Sequence, residues 1–341
     1  MTEPVVRVPR RDAERIRRQL ADTDSLAHDR RILEEDGWVY LPVRPGIDRS
    51  LLPGEPIDRA LPSMEPPPVR DYRELLAGWS ADDRALLPRS YDVIGEIALI
   101  RLPPGLAARG AEVGEALRRF VPGVRRVGAD YGVHGPARRR RVEPLAGSGP
   151  WRTRYRENGI EFEVDVEQAY FSPRLAREHA RVAGRVRPGE RVYDLCCGVG
   201  PFAMTIARDG RAAAITAVDS NPAAIALLRA SRARYPWAER IEPREASVER
   251  FSESAPPVER VILNLPHEGI KYVPRVATLV TSGGELQYYE VVDRGTADRR
   301  PAELVATLAG SGRWSVRERH VVHPYSPGAD LIAFTLVREE A

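Results

Sequence analysis

The second half of the chain alternates short apolar segments with longer amphipathic ones. Apolar runs at 192–195, 214–219, 261–264 and 286–291 are mostly separated by stretches long enough for a helix. Buried strands of a parallel sheet read as such runs, and helices connect them. The pattern predicts an α/β fold with a mostly parallel, doubly wound sheet. Two further strands, joined by a Pro/Gly turn, are predicted near the end of the chain.

The first half follows a different pattern. It predicts a helix over 10–21, a strand over 37–43, a strand over 91–102 and a helix over 107–120. Apolar residues alternate with acids over 160–166, which is typical of a half-buried antiparallel strand. A proline-rich stretch between the strand at 37–43 and the strand at 91–102 indicates an extended linker. The predicted division is a small unit at 1–48, a linker at 49–70, a middle α+β domain at 71–172 and the α/β domain at 173–341.

Composition and charge narrow the class of protein. The chain is 43% hydrophobic and has no apolar run near 18 residues, so no membrane span or signal peptide is expected. Cys196 and Cys197 are adjacent, which excludes a disulfide framework, predicts no metal site and favours the cytoplasm. The net charge is only +3, but arginines cluster at 118–119, 125–126 and 138–141. The clustering favours a phosphate-rich partner over a merely solvated surface.

Two segments point to a nucleoside ligand. Asp194 lies in a predicted strand that runs into the turn 197–200 with Gly198 and Gly200, and Asp219 ends the next strand. A glycine-rich turn lets a ligand approach the backbone, and an acid after the second strand accepts from ribose hydroxyls. Because the third glycine of a dinucleotide turn is missing, the spacing favours S-adenosylmethionine over a nicotinamide cofactor or a ligand-free fold. Asp219 is the predicted ribose acceptor, and Asp194 is predicted to order the loop or meet the methionine amine.

Six motifs between residues 90 and 290 carry a family resemblance: SYDVIGEIALIRLP, RYRENGIEFEVDVEQAYFSPRLAREHARVA, DLCCGVGPF, VDSNPAAIALL, ILNLP and GGELQYYE. They resemble the archaeal and eukaryotic tRNA (guanine37-N1)-methyltransferase family and its sister, the aminocarboxypropyl transferases of wybutosine synthesis. The blocks YFSPRL and NLP are not general features of enzymes that use S-adenosylmethionine. The resemblance implies a Rossmann-like class I methyltransferase domain preceded by α+β RNA-recognition domains, the first of them residues 1–48.

The resemblance also implies functional residues. Glu178 stands at the position of the general base, and partial burial that raised its pKa toward neutrality would suit that role. Arg138 is implied to meet O6 of guanine, with Arg140 as the alternative register. Asn264 and Pro266 end a strand where they could frame the base and the methyl group. The expected cofactor-binding residues are Tyr170, Arg174, Asp194, Cys196, Gly198, Gly200, Asp219, Asn221, Ser247 and Asn264.

Some positions depart from the family pattern. Ser247 stands where an acid usually binds the adenine amino group, and Cys196 stands where a bulky apolar residue is common. His179 replaces a usual arginine. His267, next to the Asn-x-Pro turn, is expected at the rim of the site, and a role as a second base is the alternative.

The expected reaction is methyl transfer from S-adenosylmethionine to N1 of G37 in tRNA, whose base must turn outward to reach the pocket. We expect a cytoplasmic monomer without DNA or membrane partners. An aminocarboxypropyl transferase is the first alternative, although Asn264-Leu265-Pro266 favours methyl transfer. A non-catalytic tRNA-binding protein with S-adenosylmethionine as a structural ligand is the second. A DNA amino-methyltransferase is disfavoured, because His267 stands in place of a stacking aromatic residue.

Overall fold

The computed structural model describes residues 3–62, 69–135 and 139–340, which divide into two compact units, Met1–Arg70 and Asp71–Ala341. The first unit is one antiparallel sheet in the order β2-β3-β1-β4 with one α-helix. Its elements are β1 (Glu3–Pro9), α1 (Ala13–Asp22), β2 (Leu33–Glu35), β3 (Trp38–Pro42) and β4 (Glu55–Arg59). Val6 and Val8 of β1 share a core with Ile16 and Leu20 of α1, since alternate strand residues face the same side.

Strand β4 corrects the predicted linker at 49–70. It pairs antiparallel with β1 from Glu3↔Arg59 to Arg7↔Glu55. Pro56 is tolerated because β4 is an edge strand, where a missing N–H does not interrupt the sheet. The prediction of an extended linker is therefore wrong for residues 55–59, which form this strand. Residues 63–68 of the predicted linker lie outside the described residues.

The second unit begins with a four-stranded sheet in the order β5-β6-β7-β8. Its elements are α2 (Ala81–Ala85), β5 (Tyr91–Ile94), β6 (Ile97–Ile100), α3 (Gly110–Phe120), β7 (Arg126–His134) and β8 (Arg139–Gly147). The single strand predicted over 91–102 is a hairpin. Its turn contains Gly95, whose φ of +57° favours glycine and whose Cβ would lie 2.2 Å from the carbonyl oxygen of Arg154.

A second hairpin, β9 (Arg152–Glu157) and β10 (Ile160–Asp165), follows. Ile160, Phe162 and Val164 of β10 are fully buried and share a hydrophobic core with Phe202 and Ile225 of the α/β domain. The strand predicted at 160–166 is present, but its apolar face packs into that core. The hairpin therefore belongs to the core of the α/β domain and not to the predicted middle domain.

The remaining chain forms a seven-stranded sheet in the order β13-β12-β11-β14-β15-β17-β16. The strands are β11 (Arg191–Leu195), β12 (Ala214–Asp219), β13 (Ile241–Glu245), β14 (Val258–Leu263), β15 (Val280–Asp293), β16 (Trp314–Ser326) and β17 (Ala329–Arg338). The helices are α4 (Ala176–Ala183), α5 (Pro201–Asp209), α6 (Pro222–Arg232), α7 (Val248–Ser252), α8 (Val273–Ala277) and α9 (Arg300–Leu308). The five strands from β13 to β15 in this sheet order are parallel to one another, and β17 is antiparallel to both its neighbours. This arrangement confirms the predicted doubly wound fold.

The topology fixes where a site can form. Strand β11 lies between β12 and β14, so successive strands are added on one side of β11 and then on the other. Ligands bind at the carboxyl ends of the strands at such a switch point. Asp293 at the end of β15 pairs with Ala329, which places the turn between β16 and β17 at the same edge. No helix among the described residues has the length and apolar character needed to cross a membrane.

Candidate active site

Asp194 is the most deeply buried acid at the carboxyl edge. Its Oδ2 accepts the backbone N–H of Ala203 at 3.1 Å, which fastens the first turn of α5. Its Oδ1 is buried without a hydrogen-bond partner. Burial raises the pKa of Asp194 to about 7, the N–H of Ala203 opposes the rise, and the charge of Asp219 adds to it. The carboxylate is thus held in place with one oxygen available to a donor.

The glycine-rich turn brings the backbone close to this edge. Gly200, with φ +80°, precedes α5, and a Cβ there would lie 2.4 Å from Cδ1 of Leu228. Cys196 adopts φ +60°, a left-handed conformation that is uncommon for residues other than glycine. Gly198 has φ +56° and donates its N–H to Oδ2 of Asp219 at 2.8 Å. A bulkier turn would not fit between the strand and α6.

Asp219 and Asn221 complete the predicted nucleoside site. Oδ1 of Asp219 accepts the N–H of Asn221 at 2.8 Å, so both carboxylate oxygens order backbone at the edge. Asn221 is 2% exposed and caps α6 by accepting the N–H of Ala223 at 3.0 Å, while its Nδ2 donates to the carbonyl of Gln168 at 2.7 Å. Asn221 therefore ties the segment before Tyr170 to the sheet.

Ser247 lies at the start of α7, two residues beyond β13. The last pair of β12 and β13 is Asp219↔Glu245, so Ser247 follows directly at the same edge as Asp219. Its Oγ accepts the N–H of Arg250 at 3.2 Å and caps the helix. At this position the chain offers a hydroxyl group already engaged in capping, where the family pattern has a carboxylate.

Glu178 on α4 is enclosed by donors from three elements. Its Oε1 accepts from Nη2 of Arg181 and from the hydroxyl of Tyr289, both at 2.6 Å. Its Oε2 is 2.8 Å from Nε of Arg181 and 2.9 Å from Nε2 of His320. The side chain is only 4% exposed, so these contacts replace water.

The expected rise in the pKa of Glu178 is wrong. Burial alone would raise it, but the hydrogen bonds from Arg181, His320 and Tyr289 outweigh burial and lower the pKa to about 2. Donors to the charged form stabilise it, and a carboxylate that accepts several of them loses basicity. Glu178 is therefore a fully ionised, precisely oriented carboxylate at neutral pH and not a near-neutral acid.

Asn264 and Pro266 follow β14 directly. Oδ1 of Asn264 is buried and has no hydrogen-bond partner, so it is an acceptor fixed at the sheet edge. The carbonyl of Pro266 accepts the N–H of Val291 at 3.1 Å, and the N–H of Gly269 donates to the carbonyl of Leu265 at 2.7 Å. These bonds hold the turn against β15.

Arg140 is the arginine that the structure places beside the site. It is 7% exposed, pairs with Asp130 at 2.8 Å, and donates to the carbonyl of Phe171 at 3.1 Å. Its guanidinium carbon lies 5.6 Å from the ring centroid of Tyr170. Arg138, the first choice for contact with O6, lies outside the described residues.

Tyr170 and Arg174 lie in the segment just before α4. Tyr170 is 38% exposed, and Nε of Arg174 donates to Oδ1 of Asp92 at 3.0 Å, which anchors the arginine to β5. Beside them, Pro173, Arg174, Arg177, Glu178, Arg181 and His320 line a groove of about 510 Å³. Ala176, Val321 and Val322 also line this groove, and Glu178 is the one acid among the described residues of its wall, facing three arginines.

The two notable histidines have different environments. His179 is 1% exposed and its Nδ1 lies 2.6 Å from Oε1 of Glu157, so it is part of the core behind α4. His267 is exposed, and its Nε2 is 3.1 Å from the hydroxyl of Tyr325. It lies at the exposed rim of the sheet edge.

Sequence reasoning missed Tyr289 and His320. Tyr289 belongs to the GGELQYYE motif, which carried the resemblance without a role for its tyrosines. His320 lies in the tail RHVVHPYSPG, where nothing distinguishes it from His323. Both positions become meaningful only when β15 and β16 lie beside α4.

Three family models match the chain. Residues 6–51 match the tRNA methyltransferase 5 N-terminal domain, 72–150 the TYW2 N-terminal domain, and 153–317 the TRM5/TYW2 methyltransferase domain. Among solved structures, Trm5b from Pyrococcus abyssi has a TM-score of 0.76 at 28% identity and covers 98% of this chain and 99% of its own. A complex of aTrm5 with tRNALeu gives the same TM-score, identity and coverage.

Curated relatives agree with this result. The aminocarboxypropyltransferase for tRNA(Phe) 4-demethylwyosine(37) of Pyrococcus horikoshii is 25% identical over 71% of this chain and 87% of its own length. The tRNA (guanine(37)-N(1))-methyltransferase Trm5b of Pyrococcus abyssi is 29% identical over 94% of this chain and 95% of its own. Trm5b of Methanocaldococcus jannaschii is 30% identical over 96% of both chains. The chain belongs to the tRNA (guanine37-N1)-methyltransferase family Trm5.

Proposed function

We propose that this protein transfers the methyl group of S-adenosylmethionine to N1 of G37 in tRNA. The observation that carries the proposal is Oδ1 of Asn264, a buried acceptor without a partner at the carboxyl end of β14. The Watson–Crick edge of guanine offers N–H donors to such an acceptor. An asparagine can also donate to O6, so one side chain can recognise both kinds of group.

The residues at the edge fit the cofactor. An unpartnered carboxylate oxygen on Asp194 suits a cationic amine, and the hydrogen bond from Gly198 to Asp219 holds the glycine-rich turn close to the same edge. We propose that Asp194, Gly198 and Asp219 hold S-adenosylmethionine, with Cys196, Asn221, Ser247 and Asn264 beside it and Tyr170 and Arg174 facing both cofactor and base. When bound, this cofactor supplies a methyl group on a positively charged sulfur.

The chain's own residues then control the proton of guanine N1. We propose that Glu178 receives it. A carboxylate with a pKa of about 2 is a weak base, so it takes the proton only where a cation stabilises the negative charge left on N1 and O6, and the deprotonated N1 then accepts the methyl group. Tyr289 and His320 keep the carboxylate in one orientation meanwhile. Pro266 forms an apolar wall beside the methyl group.

The charge that develops on O6 needs a cation. Arg140 is held by Asp130 and by the carbonyl of Phe171, so it is preorganised next to Tyr170. Fixed donors of this kind stabilise developing charge without reorganising. We propose Arg140 for this role on its position, and Arg138 remains the alternative prediction from the family pattern.

A second candidate is 3-amino-3-carboxypropyl transfer. It is favoured by one observation, the match of residues 72–150 to the TYW2 N-terminal domain. Methyl transfer is better supported, because the Trm5 N-terminal domain matches 6–51 and Trm5b relatives cover nearly the whole chain. Both reactions modify nucleotide 37 and use S-adenosylmethionine as the donor. They differ in the group that is transferred, so the identity of the product distinguishes them.

The test incubates the protein with S-adenosylmethionine and unmodified tRNA transcripts carrying G37 or A37. We expect mass spectrometry of the digested G37 transcript to show 1-methylguanosine and the A37 transcript to stay unmodified. A 3-amino-3-carboxypropyl adduct, equal methylation of both transcripts, or methylation of neither would overturn the proposal. Glu178→Gln should lose transfer but keep cofactor binding, whereas Glu253→Gln, at an exposed acid of the same domain, should resemble the wild type.

We also propose how the rest of the chain serves the reaction. The unit up to Arg70 and the sheet of residues 71–150 would contact tRNA, and residues from 151 onward would form the methyltransferase domain. The complex of a related Trm5 with tRNALeu supports the tRNA partner. A monomeric, cytoplasmic enzyme without DNA as a partner is part of this proposal. The two free cysteines of the described residues support its reducing compartment.

A further inference from the structure

Two exposed aromatic side chains meet at the carboxyl edge of the large sheet. Tyr325, near the end of β16, is 52% exposed, and His267 in the turn after Pro266 is exposed too. Their ring centroids are 5.2 Å apart at an interplanar angle of 67°, and the tyrosine hydroxyl lies 3.1 Å from Nε2 of the histidine. The pair joins the tip of the last hairpin to the Asn-x-Pro turn.

The pair lies beside the site proposed above. Asp293 pairs with Ala329, so the tip of the hairpin is at the same edge as the ends of β11 and β14. His267 is three residues after Asn264, a span of at most about 11 Å of extended chain.

The fold itself does not require these rings. Neither belongs to the hydrophobic clusters of the described residues, and Tyr325 keeps about half of its surface in solvent. The hydrogen bond to His267 fixes the tyrosine ring while leaving much of its area open. An exposed, oriented aromatic ring next to a site for RNA is the feature that proteins use to stack single-stranded bases.

We propose that Tyr325, oriented by His267, stacks on a nucleobase of the anticodon loop adjacent to the target guanine. Turning the target base outward removes a stacking partner from its neighbours. The tyrosine ring replaces that partner and keeps the loop open. The inference rests on the proposed function, since it takes the target base to lie at Asn264.

The test uses the full-length protein and tRNA transcripts with 2-aminopurine at position 36 or 38, together with unlabelled transcript for kinetics. Stacking on an aromatic ring changes 2-aminopurine fluorescence on binding, and Tyr325→Ala should abolish that change at one of the two positions. Tyr325→Ala should also raise KM for tRNA about tenfold, with kcat at saturating tRNA and affinity for S-adenosylmethionine near wild type. Tyr325→Phe keeps the ring and should retain most of the fluorescence change.

His323→Ala is the matched control, because it removes a ring from the same hairpin whose Nδ1 bonds to the local carbonyl of Pro324. Tyr325→Leu, which keeps apolar bulk without a stacking face, serves if the alanine variant does not fold. An unchanged fluorescence response and KM in the non-aromatic variant would overturn the inference. If the wild type binds tRNA with the Tyr325-dependent signal but does not methylate G37, the proposed function fails and the stacking site stands.

Discussion

If Asp194 binds the amine of the cofactor as proposed, cofactor binding should depend on pH. Its carboxyl is fully buried, and burial raises its pKa from the ordinary 3.8 to about 7. The difference corresponds to about 4 kcal/mol at roughly 1.4 kcal/mol for each pKa unit. Because the folded protein binds this proton more tightly than the unfolded chain, the ionised carboxylate destabilises the fold. The penalty is absent below pH 3.8, grows between pH 3.8 and 7, and is complete above 7.

Asp194→Asn removes this penalty with almost no change of shape. We expect its free energy of unfolding, without cofactor, to exceed that of the wild type by up to about 4 kcal/mol at pH 8 and by almost nothing at pH 4. Urea denaturation followed by tryptophan fluorescence at both pH values measures the difference. The gain at pH 8 should shrink when S-adenosylmethionine is added, because the asparagine has no charge with which to bind the amine.

Cofactor affinity provides the second measurement. One pH unit below its pKa the carboxyl is mostly protonated, so ionising it at pH 6 costs about 1.4 kcal/mol, or a factor of about ten in Kd. Calorimetric titration should therefore give tighter binding of S-adenosylmethionine by the wild type at pH 8 than at pH 6, and no such difference for Asp194→Asn. An Asn variant that is less stable than the wild type at pH 8, or a wild-type affinity independent of pH, would refute the reasoning.

Three other substitutions test the surroundings of the site. Gly200→Ala places a methyl group 2.4 Å from a leucine carbon, so thermal denaturation should show a free energy of unfolding that is lower by about 1–3 kcal/mol. Gly210→Ala is the control: its φ of +83° is similar, but nothing lies within 4 Å of the added methyl group, so its free energy of unfolding should fall less. Arg260 is buried and pairs with Glu190 and Glu285, whose other partners, Arg187 and Arg317, are about half exposed. Arg260→Ala should therefore cost up to about 3–5 kcal/mol in urea unfolding, and Arg260→Met, which also removes the charge, should not restore the loss. His320→Ala removes a donor from Glu178, so the pKa of that carboxyl should rise. The acid limb of the pH profile of kcat should then move to higher pH. An unmoved limb would contradict the proposed role of Glu178 as the base.

The sequence was sufficient for features that depend on local spacing. The glycine-rich turn with Asp194, the acid Asp219 at the end of the next strand and the turn at Asn264 all lie where strand periodicity placed them. Strand β13 was missed because Pro243 and two acids interrupt its apolar pattern, which an edge strand tolerates. Local reading works where side chains alternate regularly and neighbours are close in sequence.

Features set by distant side chains could not be predicted in this way. The sequence shows that Glu178 lies on an amphipathic helix, and burial of such an acid normally raises its pKa. The opposite direction results from donors 111 and 142 residues further along the chain. Likewise, β4 reads as linker because nothing local reveals that β1 is available to pair with it.

Those sequence separations also constrain how the protein is made. During synthesis α4 emerges long before β15 and β16, so Arg181 is the first donor made for the carboxylate of Glu178, followed by Tyr289 in β15 and then by His320 in β16. Burying that carboxylate earlier would leave a charged group short of partners, at a cost of several kcal/mol. We therefore expect α4 to dock stably only after the C-terminal strands are made, so that Glu178 reaches its full set of contacts late in synthesis.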